Sequence, residues 1–147
     1  MTQIPEYVLD TSVVLKWFLF REEADRGLAL QIQRAYVEGR ILLRAPELLA
    51  IEVANVLVTG RRFTAAEVEG AVVALRKLDL LLQPLEWRTL TLAVELAART
   101  STAVYDCLFW AMAEVGNCLL VTADESFLQK VGSHPRIVRL SQVQFPD

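Results

Sequence analysis

Four carboxylates in this chain lie in apolar settings, which is unusual among its 18 acidic residues. Two of them lie at or just after the ends of short apolar runs, and the other two are the only acids of apolar helical segments. A lone carboxylate that loses its water costs several kcal/mol, so such acids are either paired or functional. The four candidates for a catalytic site are Asp10, Glu52, Asp106 and Asp124.

The elements around these acids predict that they meet at one place. Tyr7–Leu9 and Cys118–Val121 are short enough to be buried strands, and Asp10 and Asp124 stand at or just after their carboxyl ends. Carboxyl ends of parallel strands share one edge of a sheet, where ligands bind. Glu52 and Asp106 lie near the starts of two apolar helices, so all four can reach this edge.

Structural roles could explain each acid separately. Asp10 could cap the following helix, an arginine could pair with Glu52, and Asp106 could interact with a helix dipole. Taken together these explanations are weaker, because four anions in one pocket repel unless some are protonated or a cation neutralises them. Carboxylates without histidine or cysteine select a hard ion, so the sequence predicts Mg²⁺ or Mn²⁺.

Composition excludes several other functions. The single histidine, His134, and two cysteines, Cys107 and Cys118, are too few for structural zinc or a typical nucleophilic triad. A net charge of −3 and a pI of about 5.2 exclude a broad electrostatic grip on nucleic acid. Local basic contacts stay possible, and the candidates are Lys16, Arg44, Arg61, Arg62 and Arg99.

Hydrophobic residues make up 54% of the chain and the mean hydropathy is +0.34, which predicts an apolar interface such as that of a homodimer. Candidate contacts are residues 17–20 and 22–38. No apolar run approaches the roughly 18 residues of a membrane span, and the N-terminus lacks the pattern of a signal peptide. We therefore expect a cytoplasmic protein that does not enter membranes.

Strand and helix patterns alternate along the chain without a linker or repeat, which predicts a single α/β domain over residues 1–147. We expect a parallel sheet of about four to five short strands flanked by helices. The predicted strands are 7–9, 41–43, 80–82, 118–121 and 137–139. The second strand is expected to end at Arg44-Ala45-Pro46. The predicted helices are one capped by Thr11 or Ser12, then 22–38 ended by Gly39, 47–59 ended by Gly60, one from a capping box at Thr64 and Glu67 to about Leu78, 90–99, and 104–115 capped by Ser101 or Thr102.

Four segments, in this order and spacing, resemble those of PIN-domain ribonucleases, and most closely the VapC-type toxins of toxin–antitoxin pairs. They read V-L-D-T-S-V, P-E-L-L-A-I-E-V-A-N-V-L, A-V-Y-D-C-L-F-W-A-M-A and L-L-V-T-A-D-E-S-F. The resemblance implies a catalytic site formed by Asp10, Glu52, Asp106 and Asp124, with the metal on Asp10, Asp106 and Asp124. It also implies supporting roles for Ser12, Asn55 and Thr122.

The same resemblance implies an enzyme that cuts RNA with Mg²⁺ or Mn²⁺, forms a homodimer and is inhibited by a small antitoxin over its pocket. Three alternatives remain. A haloacid-dehalogenase-type phosphatase is disfavoured, because that family needs a second aspartate where Ser12 stands. A housekeeping PIN nuclease without an antitoxin, and a PIN-like scaffold that binds RNA or protein without cutting, remain open.

Overall fold

The computed structural model describes residues 3–19, 24–60 and 62–145. Its five strands form one sheet in the order β3-β2-β1-β4-β5, and every neighbouring pair is parallel. The strands are β1 (Glu6–Leu9), β2 (Leu42–Pro46), β3 (Leu81–Gln83), β4 (Leu119–Thr122) and β5 (Ile137–Arg139). The α/β fold with a parallel sheet is therefore confirmed.

The two central strands β1 and β4 run side by side with Leu9 opposite Val121. Consecutive residues are buried in both strands: Val8 and Leu9 in the first, and Leu120 and Val121 in the second. Successive side chains of a strand point to opposite faces, so burial of both neighbours means that helices cover the sheet on both faces.

In the residues that the structure describes, seven helices surround the sheet. They are α1 (Thr11–Phe18), α2 (Arg26–Val37), α3 (Leu48–Thr59), α4 (Ala65–Lys77), α5 (Trp87–Thr100), α6 (Val104–Gly116) and α7 (Glu125–Val131), and a short 3₁₀ helix follows at Leu140–Gln142. Helix α6 contacts β1, β2 and β4 and has α5 packed on it. Helices α1 and α3 contact each other, with α2 packed on α1 and α4 on α3.

Several predicted element ends are wrong. The helix predicted to begin at Glu22 begins at Arg26, because Asp25 has a left-handed backbone (φ 59°) that ends a turn; part of the prediction lies outside the described residues. Strand β2 continues through Pro46. Since the Glu47 N–H donates to the Gln83 carbonyl of β3 (3.0 Å), the Pro46 nitrogen one residue earlier faces away from β3, and no bond to that strand is lost.

The helix starts agree with the prediction in one case and differ from it in two others. The capping box at Thr64 and Glu67 is confirmed, with each side chain bonding the other residue's backbone. Neither Ser101 nor Thr102 caps α6, because Ser101 ends α5 in a left-handed conformation and Ala103 precedes α6 without a side-chain bond. Helix α5 begins at Trp87, three residues before the predicted start.

Within the residues that the structure describes, no helix has the length and hydropathy needed to span a bilayer.

Candidate functional site

The side chain of Asp10 lies between β1 and β4 and is held by three donors. Its Oδ2 accepts hydrogen bonds from the Ser12 N–H (3.2 Å), the Ser12 hydroxyl and the Thr122 hydroxyl (3.2 Å). The bond from the Ser12 N–H makes Asp10 the N-cap of α1. The prediction that Thr11 or Ser12 caps this helix is therefore wrong, and Asp10 both caps the helix and lies at the sheet edge.

The two hydroxyl groups are themselves oriented by the backbone. Ser12 Oγ accepts the Ala123 N–H (2.9 Å), and Thr122 Oγ1 accepts the Asp124 N–H (3.1 Å). Each hydroxyl oxygen therefore has a backbone donor and directs its own proton to Asp10. The supporting positions proposed for Ser12 and Thr122 have the contacts that such roles require.

Glu52 reaches the site from α3 and is held by Thr11, the first residue of α1. The Thr11 hydroxyl donates to Glu52 Oε1 at 3.0 Å, across 41 residues of sequence. The side chain of Thr11 is buried, with only 8% of the residue exposed. Among the described residues, Thr11 is the only one that hydrogen-bonds to the Glu52 carboxylate. The site thus joins α1 to α3 through this bond.

Asp124 and Asp106 complete the group from the other side. Asp124 is the N-cap of α7, and its Oδ1 accepts the Phe127 N–H at 3.0 Å. Asp106 lies in the first turn of α6 and is partly exposed. Its carboxylate makes no hydrogen bond with the part of the chain that the structure describes. Four different segments of the sequence therefore supply one acid each.

The pKa values of three of these carboxyl groups are raised. Burial is the main cause for Asp10, whose pKa is also lowered by the Ser12 and Thr122 hydrogen bonds and raised by the charge of Asp124. Burial raises the pKa of Glu52, Thr11 opposes this, and Asp10 and Asp106 add to it. Burial, followed by the charges of Asp10 and Asp124, raises the pKa of Asp106 to about 6. The four acids thus interact through space.

The donor set fits a hard divalent cation. Asp10, Glu52 and Asp124 each have one oxygen bonded to the protein, while the described residues leave the other oxygen without a hydrogen bond. Only oxygen atoms are offered, as Mg²⁺ and Mn²⁺ prefer. As these side chains stand, no three carboxylates, thiols or imidazoles among the described residues lie close enough together to hold one ion.

Some of the other predicted residues do not join the acids. Asn55 is exposed on α3, and no described residue bonds its amide group. Lys16 is buried and donates to the Ala24 carbonyl (2.6 Å), while Arg44 pairs with Glu6. Arg62 and Arg99 are exposed, and Arg61 lies outside the described residues. Glu125, which follows Asp124, pairs with Arg139.

Two residues near the acids were not predicted from the sequence. The sequence indicates Thr11 only as a possible helix cap, and the one signal it carries is its position beside Asp10. Lys130 is exposed on α7, and its charge lowers the pKa of Asp106, so it is a cation near the carboxylates. No motif marks it, and only the packing of α7 beside α6, seen in the contact of Phe127 with Trp110, places it there.

Comparison with known proteins gives one family. The PIN domain model matches residues 7–132. No curated protein sequence matches this one. A toxin–antitoxin complex from Klebsiella pneumoniae has a chain of similar structure, with a TM-score of 0.67 and 14% identity over 93% of this chain and 99% of that one.

Two further solved structures have the same fold. A protein from Pyrobaculum aerophilum matches with a TM-score of 0.65 and 20% identity, over 96% of this chain and 93% of that one. VapBC2 from Rickettsia felis, bound to a DNA fragment from its promoter, matches with a TM-score of 0.62 and 12% identity, over 91% and 96% of the two chains. Since the family model covers most of the sequence, this chain belongs to the PIN domain family.

Proposed function

We propose that this protein is an Mg²⁺- or Mn²⁺-dependent endoribonuclease and the toxin of a type II toxin–antitoxin pair. The observation that carries the proposal is that four carboxylates from four segments lie near enough for their charges to affect one another's pKa values, and that three of them have one oxygen hydrogen-bonded. Membership of the PIN family supports a nuclease. We also propose that residues 1–147 form one PIN domain, as the single sheet and the span of the family match support.

Three acids would hold the cation in this proposal: Asp10, Asp106 and Asp124. When bound, such an ion neutralises part of the charge on a phosphodiester and acidifies a water molecule. Ser12 and Thr122 hydrogen-bond to Asp10 Oδ2, so Oδ1 would be the oxygen that Asp10 offers to the ion. Glu52 would accept the proton of the attacking water, whose oxygen would bond to phosphorus as the bond to the leaving ribose oxygen breaks; that oxygen would take a proton from solvent.

The charge distribution of the chain bears on how a nucleic-acid substrate would be held. The chain has a net charge of −3, so the anionic backbone cannot be bound by a broad basic surface. The carboxylates would hold a cation to which the phosphate could bind, and Lys130 is a positive charge near Asp106. The resemblance to VapC-type toxins, rather than any contact in this structure, is what favours RNA over DNA.

An antitoxin and a second copy of the chain are the proposed protein partners. Solved structures with the same fold include toxin–antitoxin complexes from Klebsiella pneumoniae and Rickettsia felis. We propose that the antitoxin inserts a basic side chain among the carboxylates, since an arginine or lysine there replaces the charge of the cation. A co-complex whose partner leaves the carboxylates uncovered would contradict this. A short reading frame immediately upstream would distinguish a toxin from a housekeeping nuclease.

Cleavage of RNA by purified protein tests the catalytic proposal. We expect cleavage with Mg²⁺ or Mn²⁺, none in excess EDTA, and recovery when the ion is restored. An Asp10→Asn variant, purified in parallel, controls for contaminating nucleases and should be inactive. Cleavage that survives EDTA in the wild type but not in the variant would refute metal dependence. A folded protein that cuts no RNA with either ion would favour the binding scaffold. Sequencing of RNA ends after brief expression would identify the substrate.

A further inference from the structure

We infer that Thr11 is a positioning residue that fixes the Glu52 carboxylate, so that one oxygen is held and the other is kept for proton transfer. This inference rests on the proposed function, and it assigns a role to a residue that the four acidic positions do not include.

The geometry of the bond supports an orienting role. Thr11 is buried, its hydroxyl lies 3.0 Å from Glu52 Oε1, and the two residues come from helices that contact each other. A threonine side chain has a single rotatable bond before its hydroxyl and is stiff because it is branched at Cβ. Glutamate has three such bonds and would otherwise sample several rotamers. A short, stiff donor therefore restricts a long, flexible acceptor.

The position of Thr11 in the fold links the two halves of the site. Thr11 directly follows Asp10, whose Oδ2 is bonded by Ser12 and Thr122. Any displacement of the α1 start moves the Asp10 backbone and the Thr11 hydroxyl together. The position of Glu52 relative to Asp10 is therefore set through one residue of backbone, although α3 and β1 are distant in sequence.

The bond also divides the roles of the two Glu52 oxygens. A hydroxyl has one proton to donate, and Thr11 gives it to Oε1. Oε2 receives no hydrogen bond from the described residues, so it is the oxygen available to a water molecule. A carboxylate held in this way loses little conformational freedom when it accepts a proton, which is the condition for efficient general base catalysis.

A substitution that removes the Thr11 hydroxyl but keeps the shape of the side chain tests this role. We expect Thr11→Val to lower kcat for RNA cleavage at saturating Mn²⁺ by about tenfold or more, the usual scale for a bond to a charged group. KM and the Mn²⁺ midpoint should stay within about twofold, and Thr11→Ser should restore most of kcat. Thr91→Val is the control, because it removes a threonine hydroxyl on α5 that donates to the Trp87 carbonyl (2.9 Å) and touches none of the acids, and it should leave kcat unchanged.

A double variant separates positioning from a general effect on folding. Because Thr11 acts through Glu52, adding Thr11→Val to Glu52→Gln should cost no further activity. If Thr11→Val lowers the activity of Glu52→Gln by the same factor as that of the wild type, the inference would be overturned. A fall in melting temperature shared by Thr11→Val and Thr11→Ser, together with equal loss of kcat, would also overturn it.

A measurement without metal or substrate distinguishes failure of this inference from failure of the proposed function. Side-chain couplings of Glu52 in the metal-free protein, read by NMR, should show one rotamer in the wild type and in Thr11→Ser, and averaging in Thr11→Val. If the Glu52 side chain of the wild type averages over several rotamers, the positioning role is refuted whether or not the protein cleaves RNA. A fixed Glu52 in a protein that cleaves no RNA would refute the nuclease and leave the positioning intact.

Discussion

The carboxyl group of Asp106 should make the stability of this protein depend on pH. Its surroundings raise its pKa to about 6, from 3.8 in the unfolded chain. Between these values the folded state binds more protons than the unfolded state, so the free energy of unfolding rises as the pH falls from 7 through about 6. Glu52 and Asp10, whose pKa values are also raised, act in the same direction.

We expect the metal-free wild type to gain stability on going from pH 7 to pH 5, with about 1 kcal/mol from Asp106 after allowance for its partial exposure. The Asp106→Asn variant should lack the contribution of Asp106 to this gain in stability. Urea denaturation at the two pH values measures the difference. Glu95→Gln, which changes an exposed acid on α5, is the control and should leave the pH dependence as it is in the wild type. An identical pH response in Asp106→Asn would contradict the interpretation.

Neutralisation of one acid should also raise the melting temperature of the metal-free protein at neutral pH. Asp10→Asn removes part of the repulsion but keeps an oxygen that can accept the Ser12 and Thr122 bonds. Mn²⁺, which binds only the folded state, should raise the melting temperature of the wild type and raise that of Asp10→Asn much less. Thermal denaturation with and without Mn²⁺ decides this. Lower stability and an unchanged Mn²⁺ response would point to a structural role.

At the residue level, the charged residues of the site could be identified from the sequence more readily than the contacts of its polar residues. A carboxylate in an apolar helix is conspicuous, so Glu52 and Asp106 could be selected by inspection. Asn55 could not be placed, because the rotation of α3 about its axis depends on which residues pack, and Leu49, Val53 and Leu57 leave Asn55 outside. The hydroxyl of Thr11 could not be assigned either, because its partner is 41 residues away.

The capping box of α4 is the element whose stability is easiest to test. The Thr64 hydroxyl accepts the Glu67 N–H at 3.1 Å at an exposed helix start. We expect Thr64→Ala to lower the free energy of unfolding by about 1 kcal/mol, because a free backbone donor loses its partner. Thr91→Ala, in an exposed helical position on α5, controls for the substitution itself. Equal effects in denaturant titrations would show that the cap contributes nothing.

Element types were predictable, whereas several ends were not. Short apolar runs bounded by polar residues identified all five strands, and Gly39 and Gly60 marked the ends of α2 and α3. The start of α2 was missed because Asp25 takes a left-handed conformation that its sequence does not require. The sequence predicts that the second strand ends at Pro46, whereas whether proline fits within a strand depends on which neighbouring strand its nitrogen faces.

At the scale of the whole molecule, an apolar cleft of about 420 Å³ beside the acids is a candidate for the homodimer contact. Its lining includes Ile51 (67% exposed), Leu85 (54%) and Tyr105 (60%). Ile51 and Tyr105 directly precede Glu52 and Asp106 in the sequence. The lining residues include Glu47 and Glu86 but no lysine or arginine, which disfavours an anionic ligand.

We expect the protein to sediment as a dimer at tens of micromolar and Ile51→Glu to dissociate it, because a buried unpaired charge is costly. Val73→Glu, on the exposed face of α4, should leave the dimer intact. Val37→Glu tests the α2 surface that the sequence favoured, and dissociation by that variant alone would move the contact there. A monomeric wild type would contradict both surfaces.

The position of β1 between β2 and β4 has a consequence for how the protein is made. Asp10 and Thr122 are bonded although 112 positions separate them in the chain. At about 5–20 residues per second, the ribosome needs roughly 5–20 s to add the intervening segment, and during that time β1 can pair with β2 but not with β4. Asp10, Glu52 and Asp106 are translated before Asp124, so a nascent chain that ends before Asp124 lacks one of the four acids. Under the proposed function, the ribosome and its message are therefore safe from the chain they are producing until synthesis is nearly complete.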